Sequence, residues 1–407
     1  MTSVDRQTHP QSIKMKRRDF VLAASGLAGS VLAPRGIAAT VQPCPPAQIS
    51  VSGGTSASSV ACPIGSSALD TLAASMSPGT WAQLSASALN VLGTLGSNGG
   101  VGGNMIPYSN QAVWDPITKA IRYCGNDHHG GTPGYTVMEV QYLAASNTWS
   151  IVTNQIPGIT PSHGYGHIAI RPDTGELYVR QYAGGSGPET IFRKPLGGSW
   201  AGNLTSPTIY RQVAIGTGWW TGALSGSQAM GAYLMWCQGF GVIQIYDPGL
   251  DRWQQIDHPD PGGDGLYHGV LDYSPVKNVA VFGGGNAWPR KLWRLNSDRT
   301  VTALPDAPID VGVQRANLNH DPVTGNFLIW GGGTRQLWEL NPTTGVYTKL
   351  SGSRQPPAAG PSGVSDPAGG AGGPDALISC ALPEQGVVAY MSASGASYAN
   401  MFLYKHA

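Results

Sequence analysis

Six of the nine histidines sit in glycine- and aromatic-rich stretches that carry little else of structural use. His128 and His129 lie in GNDHHGGTPGY, His163 and His167 in PSHGYGH, His258 just before a Pro/Gly run, and His268 in GGDGLYH. Similar stretches hold Tyr210 with Arg211, Tyr267, and Arg315, and also Trp219, Trp288 and Arg290. His, Tyr and Arg together suit proton removal from a carbon next to a carboxylate. A cation or hydrogen-bond donor stabilises the charge building on that carboxylate, one Tyr or His takes the proton, and another protonates the leaving oxygen. A uronic-acid polymer is cut by β-elimination in this way, with no obligatory metal or cofactor. The expected catalytic set is His129, His163, Tyr210, Tyr267 and His268. The expected substrate-binding set is His128, Arg211, Trp219, Trp288, Arg290 and Arg315, and no metal is expected.

Each of these residues also has a structural reading. A Trp in a Gly-rich loop forms a platform for a sugar ring, yet Trp219, Trp220 and Trp288 could equally be core. His167 could line a channel and bond a neighbouring carbonyl, and His258, among prolines, reads as a solvated loop residue. Cys124 with Asp127, His128 and His129 has no recognised zinc spacing. His320 falls in a short turn and is given no role.

The elements that must hold these residues repeat along the chain. Residues 265–304 read GLYHGVLDYSPVKNVAVFGGGNAWPRKLWRLNSDRTVTAL, and residues 311–350 follow the same plan. Each has a strand, a turn with Pro, an apolar strand, Gly-Gly-Gly, Leu-Trp-x-Leu, a polar turn and an outer strand. A four-strand unit recurring at roughly 40–50 residues is the signature of a propeller blade. Further units begin near Gly103, at His163 (ending about Trp200) and at Trp219. The last starts at Asp375 and stops after three strands, at Met401–Tyr404. A lone outer strand around Trp81 supplies its missing fourth, because an open ring would leave unpaired strand edges. The expected fold is all-β: a six-bladed β-propeller closed by an N-terminal outer strand pairing with the C-terminal blade. First-to-second strand turns (DPITKA, RPDTGE, SPVKN, DPVTGN, PEQG) then occupy one face of the disc, and the His-bearing loops occupy the other.

The glycine runs, the Leu-Trp-x-Leu segments, and Asn-Thr-Trp or Thr-Gly-Val-Tyr in the outer strands resemble kelch repeats. The order of His, Tyr and Arg on successive blades of one face resembles that of the β-propeller polysaccharide lyases of the ulvan-lyase type. That resemblance implies that His129 and His163 hold or neutralise the uronate. It makes Tyr210 or Tyr267 the base and acid, and Arg211 or Arg315 a carboxylate clamp. The implied partner is an anionic polysaccharide or other glycan. A non-catalytic glycan- or protein-binding propeller is the alternative, because an aromatic rim with scattered Arg serves binding as well as chemistry.

Composition supports the fold and narrows the partners. Charged residues are 12% of the chain, there are 57 Gly, and the net charge is +1. No general field draws the chain to nucleic acid or to an anionic membrane. Lys16-Arg17-Arg18-Asp19-Phe20 ahead of the short apolar run Val21–Leu32 resembles a twin-arginine export signal. Residues 1–39 are therefore expected to be a signal peptide, with a periplasmic or secreted monomer as the product and no membrane insertion. Residues 40–77 read as a Ser/Pro/Gly-rich tail or strap, and 78–407 as the propeller. Cys44 and Cys62 could pair in an oxidising compartment. Residues 355–374, rich in Pro, Ala and Gly, read as a flap or connector.

Overall fold

The structure is a computed structural model. It describes residues 67–89, 91–94, 110–125, 137–159, 166–181, 188–209, 217–225, 231–237, 241–258, 268–286, 288–313, 316–331, 336–356, 377–393 and 399–407. These belong to one compact unit, Thr55–Ala407. The expected export signal at 1–39, Cys44, Cys62 and most of the connector at 355–374 lie outside the described residues.

Strands form six antiparallel four-stranded sheets. Their inner strands are Val113–Asp115, Ile168–Arg171, Thr217–Trp220, Val270–Ser274, Ala316–His320 and Leu377–Leu382, for blades 1 to 6 in turn. Each inner strand neighbours the next, and that of blade 6 neighbours that of blade 1, so the ring closes as a six-bladed β-propeller. Blade 6 is completed from the other end of the chain. Thr80–Leu84 pairs antiparallel with Ala399–Lys405, in the register Thr80↔Lys405 through Leu84↔Met401.

The turns follow from local chemistry. In five blades the residue that ends the first hairpin has positive φ: Lys119, Gly175, Asn278, Gly325 and Gly386. Gly and Asn adopt that conformation at least cost. Asp115 Oδ1 accepts from the amides of Ile117 and Thr118, and Asp321 Oδ2 from that of Thr324, fixing two of these turns. The triple glycine of blade 4 has a steric reason. Gly284 has a φ of 71°, and a Cβ there would run into the Val311 carbonyl of the approaching blade 5 segment.

Because successive strand residues point to opposite sheet faces, each blade presents large side chains to both neighbours. Trp81 stacks on Tyr404 at 4.6 Å between ring centres and meets Trp330 of blade 5 edge-on at 5.3 Å. Trp236, Phe282 and Trp293 fill the seam between blades 3 and 4. Between blades 1 and 2, Glu139 is fully buried and accepts from Lys194 Nζ (2.6 Å) and Trp200 Nε1 (2.9 Å).

Two expectations need correction. The segment before Trp81 contains a helix, Ala68–Ser75, capped by Ser67 Oγ on the Asp70 amide. Leu69 and Ala73, one helical turn apart, and Met76 just past the helix end are buried in the cluster that also holds Leu382 and Leu403 of blade 6. Blade 2 also runs past Trp200, with an outer strand at Ala201–Ile209. This strand contains Pro207, which an outermost strand tolerates because it has a free edge, and its register shifts twice against Pro188–Lys194.

Trp81→Ala is expected to lower unfolding stability by about 3 kcal/mol, the low end for a Trp truncation because the ring is only partly buried; urea denaturation measures this. The closing blade also has an acid-sensitive tie. His406 Nε2 lies 3.0 Å from Glu339 Oε1 of blade 5, and that hydrogen bond holds the Glu339 carboxyl below the usual carboxylate range. A depressed folded-state pKa contributes stability above the unfolded value, which is lost as pH falls through the folded one. The melting-temperature gap between wild type and Glu339→Gln should therefore be widest near neutrality and close in acid; a gap constant with pH would refute this.

Candidate functional sites on the two faces of the ring

On the loop face the described rim lies where blades 4 and 5 meet. His268 precedes the inner strand of blade 4 and has a φ of 69°. Its carbonyl accepts from the Val313 amide at 2.9 Å, and its Nδ1 lies 3.2 Å from Asn286 Oδ1. Gly312 passes so close that a Cβ there would sit 2.8 Å from the His268 carbonyl. Asn286 belongs to the connection between the second and third strands of blade 4, which continues to Trp288, 36% exposed, and Arg290. Arg290 Nε pairs with Asp310 Oδ1 at 3.0 Å, with both side chains largely in solvent. The Arg290 and Pro289 carbonyls accept from the amides of Ala307 and Val311. This rim therefore offers an imidazole, an open indole face and a guanidinium on a hydrogen-bonded backbone.

Other expected site residues fall elsewhere. His128, His129, His163, Tyr210, Arg211, Tyr267 and Arg315 lie outside the described residues. Trp219 is not a loop platform. It sits in the inner strand of blade 3, buried between blades 2 and 3 with its ring 5.2 Å from that of Tyr178, so it has no open face for a sugar on the loop rim. His258 is not solvated. It is 7% exposed, faces Phe282 at 5.1 Å, and its Nε2 receives the Trp236 Nε1–H at 3.1 Å. The apolar seam needed an acceptor for that indole, and the imidazole supplies one. His167 is buried with Nδ1 3.2 Å from Arg180 Nη1.

The middle of the ring is laced by polar side chains at the loop-ward part of the inner strands. Asn110 O accepts from the Ser379 amide (3.1 Å) and from Asn317 Nδ2 (2.7 Å). Ser379 Oγ lies 2.7 Å from Asn317 Oδ1, and Thr217 Oγ1 donates to Gly166 O at 2.6 Å. Toward the other face a cavity of ≈ 290 Å³ opens among the tight turns, lined by Pro116, Pro172, Pro275 and Pro383 at its rim. Asp272 and His320 line it too, and His320 Nδ1 lies 2.9 Å from Asp272 Oδ2 across the seam of blades 4 and 5. The same carboxylate oxygen accepts the His320 amide. This pair was not apparent in the sequence, where the two residues belong to separate blades; the only signal was an Asp and a His in successive inner strands, each ahead of a tight turn.

Among the described residues no group of three or more His, Cys, Asp or Glu is placed to hold a metal. Cys124 is a free buried thiol, pushed well above its ordinary pKa by burial and by the charge of Glu139.

No protein-family model matches the chain, and no curated protein matches it. Several solved structures are similar at low identity. A structural-genomics protein of unknown function from Bacteroides thetaiotaomicron is 13% identical over 80% of this chain and 75% of that one, with a TM-score of 0.47. Virginiamycin B lyase from Staphylococcus aureus is 12% identical over 74% and 95%, with a TM-score of 0.45. YCF48 bound to D1 peptide is 11% identical over 81% and 82%, with a TM-score of 0.41. These neighbours are unlike one another in kind and carry no activity over to this chain, so the blade count here rests on the strand pairing itself.

The strain at His268 can be tested directly. A non-glycine residue in the left-handed region costs about 1–2 kcal/mol, and a hydrogen bond contributes about 1. His268→Gly should leave stability unchanged or raise it slightly, whereas His268→Ala, which keeps the strain and loses Asn286, should lower it by about 1 kcal/mol in urea unfolding. Equal losses for both would show that the backbone there is not strained.

Proposed function

We propose that this protein is an exported, carbohydrate-active propeller of the kelch type that cleaves a uronic-acid-containing glycan by β-elimination on its loop face. The observation that carries the reading is the rim at blades 4 and 5. There an imidazole is held at an unfavourable φ on the same rim as an exposed Trp and an Arg paired with a solvent-exposed carboxylate. Backbone strain kept by surrounding hydrogen bonds is a mark of functional positions. The Trp288 face suits a sugar ring, and Arg290 can exchange Asp310 for a uronate carboxylate, because an exposed ion pair is worth little in water.

In this scheme His268 joins His129, His163, Tyr210 and Tyr267. The uronate carboxylate is neutralised by His129 and His163 and clamped by Arg211 or Arg315. One Tyr withdraws the proton α to the carboxylate, the electron pair moves into the new carbon–carbon double bond, and the glycosidic oxygen departs with a proton from a second Tyr or His. His128, Trp288 and Arg290 hold neighbouring sugars. The second reading, a non-catalytic glycan binder, is favoured by the same exposed Trp288 and Arg290, which need no proton transfer to act.

Incubating the purified protein with uronic-acid polysaccharides and following the ultraviolet absorbance of the unsaturated product separates the two. A rise that His163→Ala and Tyr267→Phe abolish, and that Trp288→Ala weakens through KM, supports the lyase. Glycan retention with no absorbance supports the binder. An absorbance rise untouched by the first two variants rejects the assigned site.

A further inference from the structure

We infer that the cavity on the tight-turn face is a second ligand site, one that takes a small, largely apolar molecule bearing a hydroxyl or amine donor. It stands at the opposite end of the inner strands from His268 and does not depend on the loop-face reading. Its walls are mostly apolar, and its volume, ≈ 290 Å³, is nearly twice the ~150 Å³ that suffices to hold benzene.

Three residues lining it each have a buried polar atom without a hydrogen-bond partner: Trp114 Nε1, Asn319 Oδ1 and His320 Nε2. Buried polar atoms are normally satisfied; others without a partner lie in packed seams, as at Trp149 and Trp330, whereas these three belong to residues lining a cavity large enough for a guest to satisfy them. Asn319 is only 3% exposed, so bulk water does not serve it freely.

The chemistry of the orphans defines the guest. Asp272 can only accept, so the His320 ring carries its proton on Nδ1, and in the neutral ring Nε2 is a lone-pair acceptor. Nε2 and Asn319 Oδ1 therefore ask for donors, and the Trp114 indole asks for one acceptor. A hydroxyl supplies both roles, and an amine supplies the donors. The ionisable side chains lining the cavity are Asp272, Glu384 and His320, together with Tyr273 and Cys380, which burial pushes up and so keeps neutral, and Lys119 is already bound to Glu384 at 2.6 Å. A carboxylate guest would face acids without a free cation, so anions are excluded.

The test uses the full chain with four probes at millimolar concentration, read by calorimetry and ligand-observed NMR: phenol, benzylamine, toluene and benzoate. Phenol or benzylamine should bind, and the one that binds more tightly tells whether the natural guest is an alcohol or an amine. Toluene, which has no donor, and benzoate should each bind at least about tenfold more weakly, the loss expected when buried hydrogen bonds go unmade. His320→Asn keeps a donor toward Asp272 and deletes Nε2. Asn319→Leu removes the other acceptor at similar volume. Each should weaken the better probe about tenfold, with the fold checked by melting temperature. Failure of both phenol and benzylamine to bind overturns the proposal, as does toluene or benzoate binding as well as they do in wild type. The wild-type comparison decides the matter even if a variant does not fold.

Discussion

The ring depends on one antiparallel pairing, Thr80–Leu84 against Ala399–Lys405. Every other blade is built from consecutive chain and can form its own hairpins. Blade 6 has only three such strands, and without the N-terminal one its outer edge would expose a row of unpaired amides and carbonyls. The pairing is reinforced from three sides. Trp81 stacks on Tyr404 and donates its indole N–H to Arg354 O at 3.1 Å, the Gly79 amide donates to Lys405 O, and Lys405 Nζ donates to the Ala73 carbonyl of the preceding helix. Because this contact spans nearly the whole chain, it carries the largest loop-closure entropy in the fold, so it must be made by many small contributions at once.

Closure also explains where polar groups are allowed. Six sheets packed face to face leave apolar seams, and a charged or strongly polar side chain inside a seam is costly unless it brings a partner along. Glu139 does so with Lys194 and Trp200, and His258 with Trp236. Removing one member of such a pair would strand the other, which is why a buried charged pair fixes the alignment of two blades more than it raises their stability. At the ring centre the requirement is met from five blades, by the side chains of Asn110, Thr217, Asn317 and Ser379 and the backbone of Gly166.

The architecture was legible because hairpin turns and alternating apolar strands are local, and the sequence repeats them with Gly or Asn at most of the first-hairpin positions where φ is positive, Lys119 being the exception among those described. Closure was legible for a related reason: a strand-like segment at Trp81 had no partner of its own, and the last blade lacked one. Side-chain roles were less so. Trp219 and His258 have the composition of binding residues, but a propeller spends aromatic rings and imidazoles on its seams, and only the register of Thr217–Trp220 or the depth of His258 tells the uses apart. The helix at Ala68–Ser75 was hidden in a Ser- and Ala-rich stretch whose apolar spacing covers barely two turns. His320 was passed over because a short hairpin turn with Pro and Gly is adequately explained by turn chemistry alone.

The seam between blades 4 and 5 runs from the His268 rim to the Asp272–His320 side of the cavity, whose lining comes from all six blades, and directional bonds cross it along its length. At the loop end the His268 carbonyl receives Val313, and Gly285 donates to Val311 O; at the turn end Asp272 grips both the amide and the ring of His320; near the outer rim Arg294 donates to Pro342 O. Seams that are only apolar can slide by small repacking, whereas directional bonds at both ends and at the rim hold the blades at one angle. A seam so pinned keeps a side chain placed to within a fraction of an ångström without help from a bound partner, which is what positioning for chemistry or for a small guest requires. That rigidity argues for reading the unpartnered atoms of the cavity and the strained backbone of His268 as consequences of a fixed frame, rather than as slack that the blades would otherwise relax away.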